Sequence, residues 1–370
     1  MPYDNKIVHS CSIRTRESSV TKYIYSGLRS FFTLTSRNNK QNSMLPPLNP
    51  KNTSFQMDPW FITGFIDAEG CFSVRVRKST KTKVCWHIET IFSIGLHSRD
   101  LPLLKEIQAY FGGVGRIVEG KKYCGYYVSS KEELNTVIIP HFEKYPLITQ
   151  KLADFLLFKN VVDIINTKEH LTIEGLRKIV SLKASINLGL TDELKGAFPD
   201  IVPASRPLVK SSHIIRKAKS SVNYEVSIDT PASSGLMKVG QWMGGFVSGD
   251  GCFSVTENKS PTKVYLRLVF NLTQHSRDES LFRSLVSFFG CGEYRSSSAD
   301  RDTVNFECLS FSDNYEKILP FFREHKIIGV KAKDFEDWCR VAEIIKAKEH
   351  LTKEGFDLVC HIKSKMNKGR

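Results

Sequence analysis

The chain has 370 residues, enough for two domains of ordinary size. Its 53 Lys and Arg against 39 Asp and Glu leave a formal charge of +14. That balance favours an anionic partner, although charge alone does not separate a nucleic acid from a membrane surface. No apolar run approaches the length of a spanning helix, which reads as a soluble chain. Nine cysteines without a C-x-x-C pair or a close Cys/His cluster argue against structural zinc and for reduced, packed thiols.

Residues 1–57 form a basic leader, with Lys6, Arg14, Arg16, Lys22, Arg29, Arg37, Lys40 and Lys51 against Asp4 and Glu17. Its composition is that of a mitochondrial transit segment, and equally that of a disordered leader or the remnant of an upstream reading frame. Residues 60–74, WFITGFIDAEGCFSV, then read as an apolar helix running into a strand. Gly64 and Ala68 stand one helical turn apart, so they share a face on which a second backbone can approach closely. The helix ends in Glu69–Gly70, and glycine there suits a left-handed stop. The strand CFSVRVR (71–77) alternates Phe72, Val74 and Val76 against Ser73, Arg75 and Arg77. A second strand, VCWHIETIFSIGL (84–96), sets Ile88, Phe92 and Ile94 against His87, Glu89 and Ser93. HSRD (97–100) leads a helix stopped by Gly112–Gly113. Strands near 114–119 and 123–129 follow, then helices near 132–142, 149–166 and 172–186.

Residues 242–255, WMGGFVSGDGCFSV, begin the same series again. Gly245 and Gly249 take the small positions and Asp250–Gly251 the stop. VYLRLVFNLTQ (264–274), a second HSRD (275–278), a helix ending at Gly290, and strands near 293–297 and 303–310 follow in order. KEHLT recurs 180 residues apart (168–172 and 348–352) and the two acids recur 181 apart, the signature of an internal duplication. The expected fold is α+β: two pseudo-symmetric αββαββα repeats at 58–186 and 241–370, joined by a linker at 187–240 rich in Pro, Ser and Lys.

If the two helices pack through their small residues, Glu69 and Asp250 arrive side by side at two negative helix ends. That placement is unfavourable without a cation, and a hard divalent ion bound by carboxylate and carbonyl oxygens fits it. Each acid–glycine pair also serves as a plain helix stop, and both readings stand at this stage. A duplicated chain with a tether predicts a monomer.

The paired stretches resemble the double signature of a single-chain LAGLIDADG homing endonuclease of the kind encoded in fungal mitochondrial introns. The resemblance runs from about Phe55 to the C-terminus, and NLGLTDELKGAF (187–198) and the closing MNKGR match that subgroup. It implies a mitochondrial, Mg2+-dependent enzyme that makes a double-strand break in double-stranded DNA and leaves short 3′ overhangs. The metal ligands it implies are Glu69, Asp250 and the carbonyls of Ala68 and Gly249. Lys151, Lys331 and Gln274 fall where the family keeps basic or amide groups around the pocket. Leu96 occupies the position of Gln274 in the first repeat, which makes the pocket asymmetric. Lys151 and Lys331 read equally as solvated helix starts, and His97 and His275 as turn or cap residues.

Four antiparallel strands per repeat with helices on one face leave the other face open, a saddle suited to the DNA major groove. Its candidates are Cys71, Ser73, Arg75, Arg77, His87, Glu89, Ser93, Tyr127 and Ser129, then Ser254, Thr256, Tyr265, Arg267, Asn271, Asn305 and Glu307. Arg can grip guanine, Asn adenine, and Glu can accept from cytosine. An intron maturase, the same fold holding intron RNA, is the alternative.

Overall fold

The computed structural model describes residues 57–209, 211–229, 234–259, 264–296 and 302–369. The basic leader falls on residues outside that set, apart from Met57. The first repeat opens with α1 (Pro59–Glu69), capped by Asp58, whose carboxylate accepts from the Trp60 amide at 2.8 Å. Pro59 at the first turn has no amide to satisfy. β1 (Gly70–Lys78) follows directly and pairs antiparallel with β2 (Trp86–Leu96), placing Arg75 opposite Glu89 and Cys71 opposite Ser93. Next come α2 (Leu101–Tyr110), β3 (Arg116–Glu119) and β4 (Cys124–Val128). A helix with a π-helical turn at Leu134–Ile138, α3 (Lys151–Asn166) and α4 (Ile173–Ala184) complete the repeat.

The segment between the repeats, which reads as a tether in the sequence, carries structure of its own. It holds α5 (Asp192–Ala197), α6 (Ser211–Lys219) and a hairpin of β5 (Glu225–Asp229) and β6 (Ser234–Lys238). Ile215, Ala218, Val226 and Met237 are buried in the core of the second repeat. That repeat comprises α7 (Val239–Asp250), β7 (Gly251–Lys259), β8 (Val264–His275), α8 (Glu279–Phe289), β9 (Glu293–Ser296), β10 (Thr303–Cys308), α9 (Val330–Lys346) and α10 (Lys353–Ser364). Its π-helical turn recurs at Asn314–Ile318.

The sheets run β1-β2-β4-β3 and β7-β8-β10-β9, antiparallel throughout, so the duplication holds down to strand order. Alternation does the sorting. Phe72 packs on Phe142, Phe155 and Phe158 of the overlying helices, and Phe253 on Phe322, Phe335 and Trp338. The intervening residues of β1 and β7 face away.

α1 and α7 pack face to face. A Cβ added to Gly64 would collide with the Trp242 carbonyl, one on Gly245 with the Phe61 carbonyl, and one on Gly249 with the Ala68 side chain. Only small residues allow this approach. One expectation fails in its cause. Gly70 and Gly251 are extended (φ −76° and −74°), not left-handed. They are glycine because a Cβ would strike the Ile66 or Val247 side chain and come within 2.8 Å or 2.6 Å of that residue's carbonyl oxygen.

Candidate functional site

Glu69 and Asp250 are the last residues of α1 and α7. The two are neighbours, because Glu69 Cγ lies 3.0 Å from where a Cβ on Gly249 would stand. Gln274 Nε2 donates to Asp250 Oδ2 at 2.9 Å. The Asp250 carboxyl is pushed up to about 7, first by burial and then by the charge of Glu69, while Lys151 and Lys331 pull it back. The like-charge pair expected from the sequence is therefore present and unfavourable as it stands.

The lysines belong to the same cluster. Lys151, at the start of α3, donates from Nζ to the carbonyls of Ile66 (3.0 Å) and Ala68 (3.1 Å). Lys331, at the start of α9, donates to the Gly249 carbonyl. Burial lowers the Lys331 ammonium, and Glu69 and Asp250 oppose that shift. Lys151 thus adds a second donor to the Ile66 carbonyl, which already accepts the Gly70 amide, and both lysines reach carbonyls of the last helical turn, those of Ala68 and Gly249. The Ala68 and Gly249 carbonyls are the oxygens the resemblance gives to a metal. A carbonyl has two lone pairs, so a lysine on one leaves the other for a cation. Among the described residues no group of three or more His, Cys, Asp or Glu converges. An ion here would rest on two carboxylates and backbone oxygens, a hard donor set that fits a hard divalent cation.

Asp67 escaped the sequence reading because it sits in the middle of the apolar run. It is buried, and its carboxylate accepts from the Ile148 amide (3.0 Å), the Thr149 hydroxyl (2.5 Å) and, across the helix pair, Trp242 Nε1 (2.8 Å). Its counterpart Ser248 instead donates to the Gly244 carbonyl (2.7 Å) and accepts from the Ile328 amide (3.0 Å). Both anchor the loop that leads to the lysine. His97 and His275 are caps: each Nδ1 accepts from the amide two residues on, at 3.3 Å and 3.2 Å. Gln274 and Leu96 occupy equivalent strand positions, each two residues beyond the partner of the motif glycine (Leu272 and Ile94), so the pocket is asymmetric.

The candidates on the open faces lie where alternation puts them, with one exception. Cys71, Ser73, Arg75 and Arg77 pair with Ser93, Ile91, Glu89 and His87, and Tyr127 pairs with Ser93. Glu89 holds Arg77 at 2.6 Å and Arg75 at 3.6 Å, so the three form one cluster. Ser129 lies past the end of β4 and is exposed. In the second repeat Thr256 pairs with Arg267, Asn271 with Glu307, and Asn305 with Thr273, while Ser254 faces Val269 and Tyr265 faces Asn258. Thr273 donates to Asn305 Oδ1 at 2.6 Å, and Arg295 reaches Glu307 at 3.5 Å. Thr273, Arg295, Cys252 and Arg116 share these faces through the registers and were missed. Pairing with identified residues is the signal that finds them, and it needs strand order.

The family model for LAGLIDADG endonucleases matches residues 62–162 and 243–342, together more than half of the chain. The chain belongs to the LAGLIDADG endonuclease family. Both matched segments begin within the paired helices and reach past the lysines into α3 and α9. Among relatives, a probable intron-encoded endonuclease of Neurospora crassa is 39% identical over 84% of this chain and 65% of its own length. A second from the same fungus is 35% identical over 86% of this chain and 56% of its own. The chain therefore spans less than two thirds of either relative. The homing endonuclease I-SmaMI, solved bound to cleaved DNA, is 44% identical with a TM-score of 0.75, covering 85% of this chain and 98% of that one. I-GzeII, solved with its DNA target, is 40% identical with a TM-score of 0.73, covering 85% and 99%. Among the described residues no helix is long and apolar enough to cross a membrane.

Proposed function

We propose that this chain is a monomeric, site-specific homing endonuclease that hydrolyses one phosphodiester in each strand of a double-stranded DNA target. The observation that carries the reading is the pair of acids at the ends of the packed helices. Asp250 is pushed up to about 7 by burial and by Glu69, an arrangement that costs stability as pH rises and suits a cation. Glu69, Asp250 and the carbonyls of Ala68 and Gly249 would hold Mg2+ or a similar divalent ion. Such an ion, when bound, lowers the pKa of its water and neutralises charge on the phosphate.

The rest of the chemistry falls to this chain's own side chains. In hydrolysis a water oxygen bonds to phosphorus as one P–O ester bond breaks, and negative charge gathers on the phosphate oxygens. Lys151 and Lys331, fixed at the helix ends, present ammonium groups toward that charge. Gln274 holds the Asp250 carboxylate in place through its amide. Lacking that amide on the Leu96 side, the two half-sites cut at different rates. The two open sheet faces read the flanking sequence, Arg75, Arg267, Asn271, Asn305 and Glu307 through base edges. One acid per strand gives cuts across the minor groove and short 3′ overhangs. Kinship with intron-encoded fungal endonucleases supports a mitochondrial location. Incubation with a DNA library spanning intron insertion sites, with and without Mg2+, tests the reading. Metal-dependent paired cuts at one site support it, and no cleavage of any member refutes it. Sedimentation at the mass of one chain checks the monomer.

A further inference from the structure

The two HSRD segments do more than start the helices that follow them. Asp278, 3% exposed, accepts the Gln150 amide on Oδ1 at 2.8 Å, reaching from the second repeat into the first. Asp100 accepts the Val330 amide at 3.0 Å in the opposite direction. The residue after each of those amides is a pocket lysine, Lys151 or Lys331. The N-cap residues Gln150 and Gly329 make no side-chain cap; Thr149 Oγ1 accepts the Lys151 amide at 3.2 Å, and the Gln150 and Val330 amides are left to the aspartates of the opposite repeat. The arginine before each acid also crosses between repeats, Arg277 to Asp154 at 3.7 Å and Arg99 to the Asn367 carbonyl at 3.3 Å. Gly329 has a positive φ of 81°, which favours glycine, and a Cβ there would stand 3.3 Å from Asp100 Oδ1 and 2.9 Å from the end of the Leu103 side chain. The contact is built twice, in mirror order.

We propose that Asp278 and Asp100 are reciprocal positioning residues, each setting the pocket lysine of the other repeat. The physical basis is local. An acceptor at a helix N-terminus fixes the first turn, and a negative charge there complements the dipole. A lysine in that turn inherits the fixed backbone, so its side chain starts from one Cα–Cβ position within reach of the Ala68 or Gly249 carbonyl. Each half-site is then complete only when the two repeats are docked, and the two acids act on opposite sides of the centre.

The inference rests on the cleavage reading above, and its test separates the two. Single-turnover cleavage is followed on a cognate duplex labelled separately on each strand, with DNA affinity and melting temperature measured alongside. Asp278→Ala slows one strand by about tenfold to about a hundredfold, the cost of a catalytic group displaced by about an ångström. That strand is the one slowed by Lys151→Ala. Asp100→Ala slows the other strand, the one slowed by Lys331→Ala. Asp278→Asn restores the rate to within about threefold, because Asn caps as well as Asp. Equal slowing of both strands, or the same strand slowed by both alanine variants, overturns the inference and leaves these acids as interface contacts. If Asp278→Ala does not fold, the less buried Asp100→Ala against Lys331→Ala decides alone. Should Glu69→Gln still cut both strands at the wild-type rate, the cleavage reading itself falls. With Glu69→Gln inactive and strand ratios unchanged in the aspartate variants, only the positioning role falls.

Discussion

Replacing Asp250 by Asn keeps the side chain's size and its contact with Gln274 but removes one charge from a centre that repels it. The Asp250 carboxyl ionises near 7 in the folded chain, against 3.8 for an unperturbed Asp. The folded pKa is raised, so between these values the unfolded chain loses its proton and the folded one keeps it. Stability from this group is full below about pH 4 and is lost as pH rises toward 7. The upper bound on the loss is about 4 kcal/mol, and because Asp250 as a residue is only half-buried, at the edge of the pocket, solvent screening reduces it to about 2 kcal/mol. At about 2 °C per kcal/mol for a chain of this size, Asp250→Asn should melt about 4 °C above wild type at pH 8 without divalent metal. The gap should close at pH 4. Added Mg2+ should raise the wild-type midpoint more than the variant's, because only a ligand that binds the folded state stabilises it. Strand cleavage should fall by orders of magnitude. The assay is a paired measurement of thermal midpoint from pH 4 to 8 and of cognate duplex cleavage. A variant that melts below wild type at pH 8 and still cuts would refute the argument and return Asp250 to the role of helix stop.

Gln274→Leu copies the Leu96 side, and loss of an amide to a charged acceptor should slow one strand by about tenfold to about a hundredfold. Strand-resolved rates that fall together would contradict the asymmetry. Arg75→Ala or Arg267→Ala should relax selectivity at one local base position by about 1–3 kcal/mol. Uniform weakening across a target library would make these arginines phosphate contacts. Gly245→Ala forces a methyl onto the Phe61 carbonyl and should cost about 1–3 kcal/mol, whereas Gly196→Ala in α5 meets nothing within 4 Å and should be neutral or stabilising. Equal melting temperatures for the two would show that α1 and α7 do not need small residues.

The sequence by itself determined whatever depends on neighbours in the chain. Small residues one turn apart, alternating strands and a constant offset between copies are local patterns, so the repeats, the helix pair and the delivery of Glu69 and Asp250 were legible. The open-face residues followed from the two-residue period, and only Ser129, at a strand end, fell beyond its strand. Tertiary structure decided the rest. Thr273 and Arg295 join the open face because β10 lies between β8 and β9. α6 is short and basic, and its buried Ile215 and Ala218 matter only because the second core lies beneath them. Gly70 is glycine for lack of space beside Ile66, not for its dihedral freedom, and no one-dimensional pattern tells those reasons apart. The caps on the lysine helices span 128 and 230 residues. An amide left open at a helix start does not announce which distant carboxylate will fill it; that is settled when the two repeats close on each other.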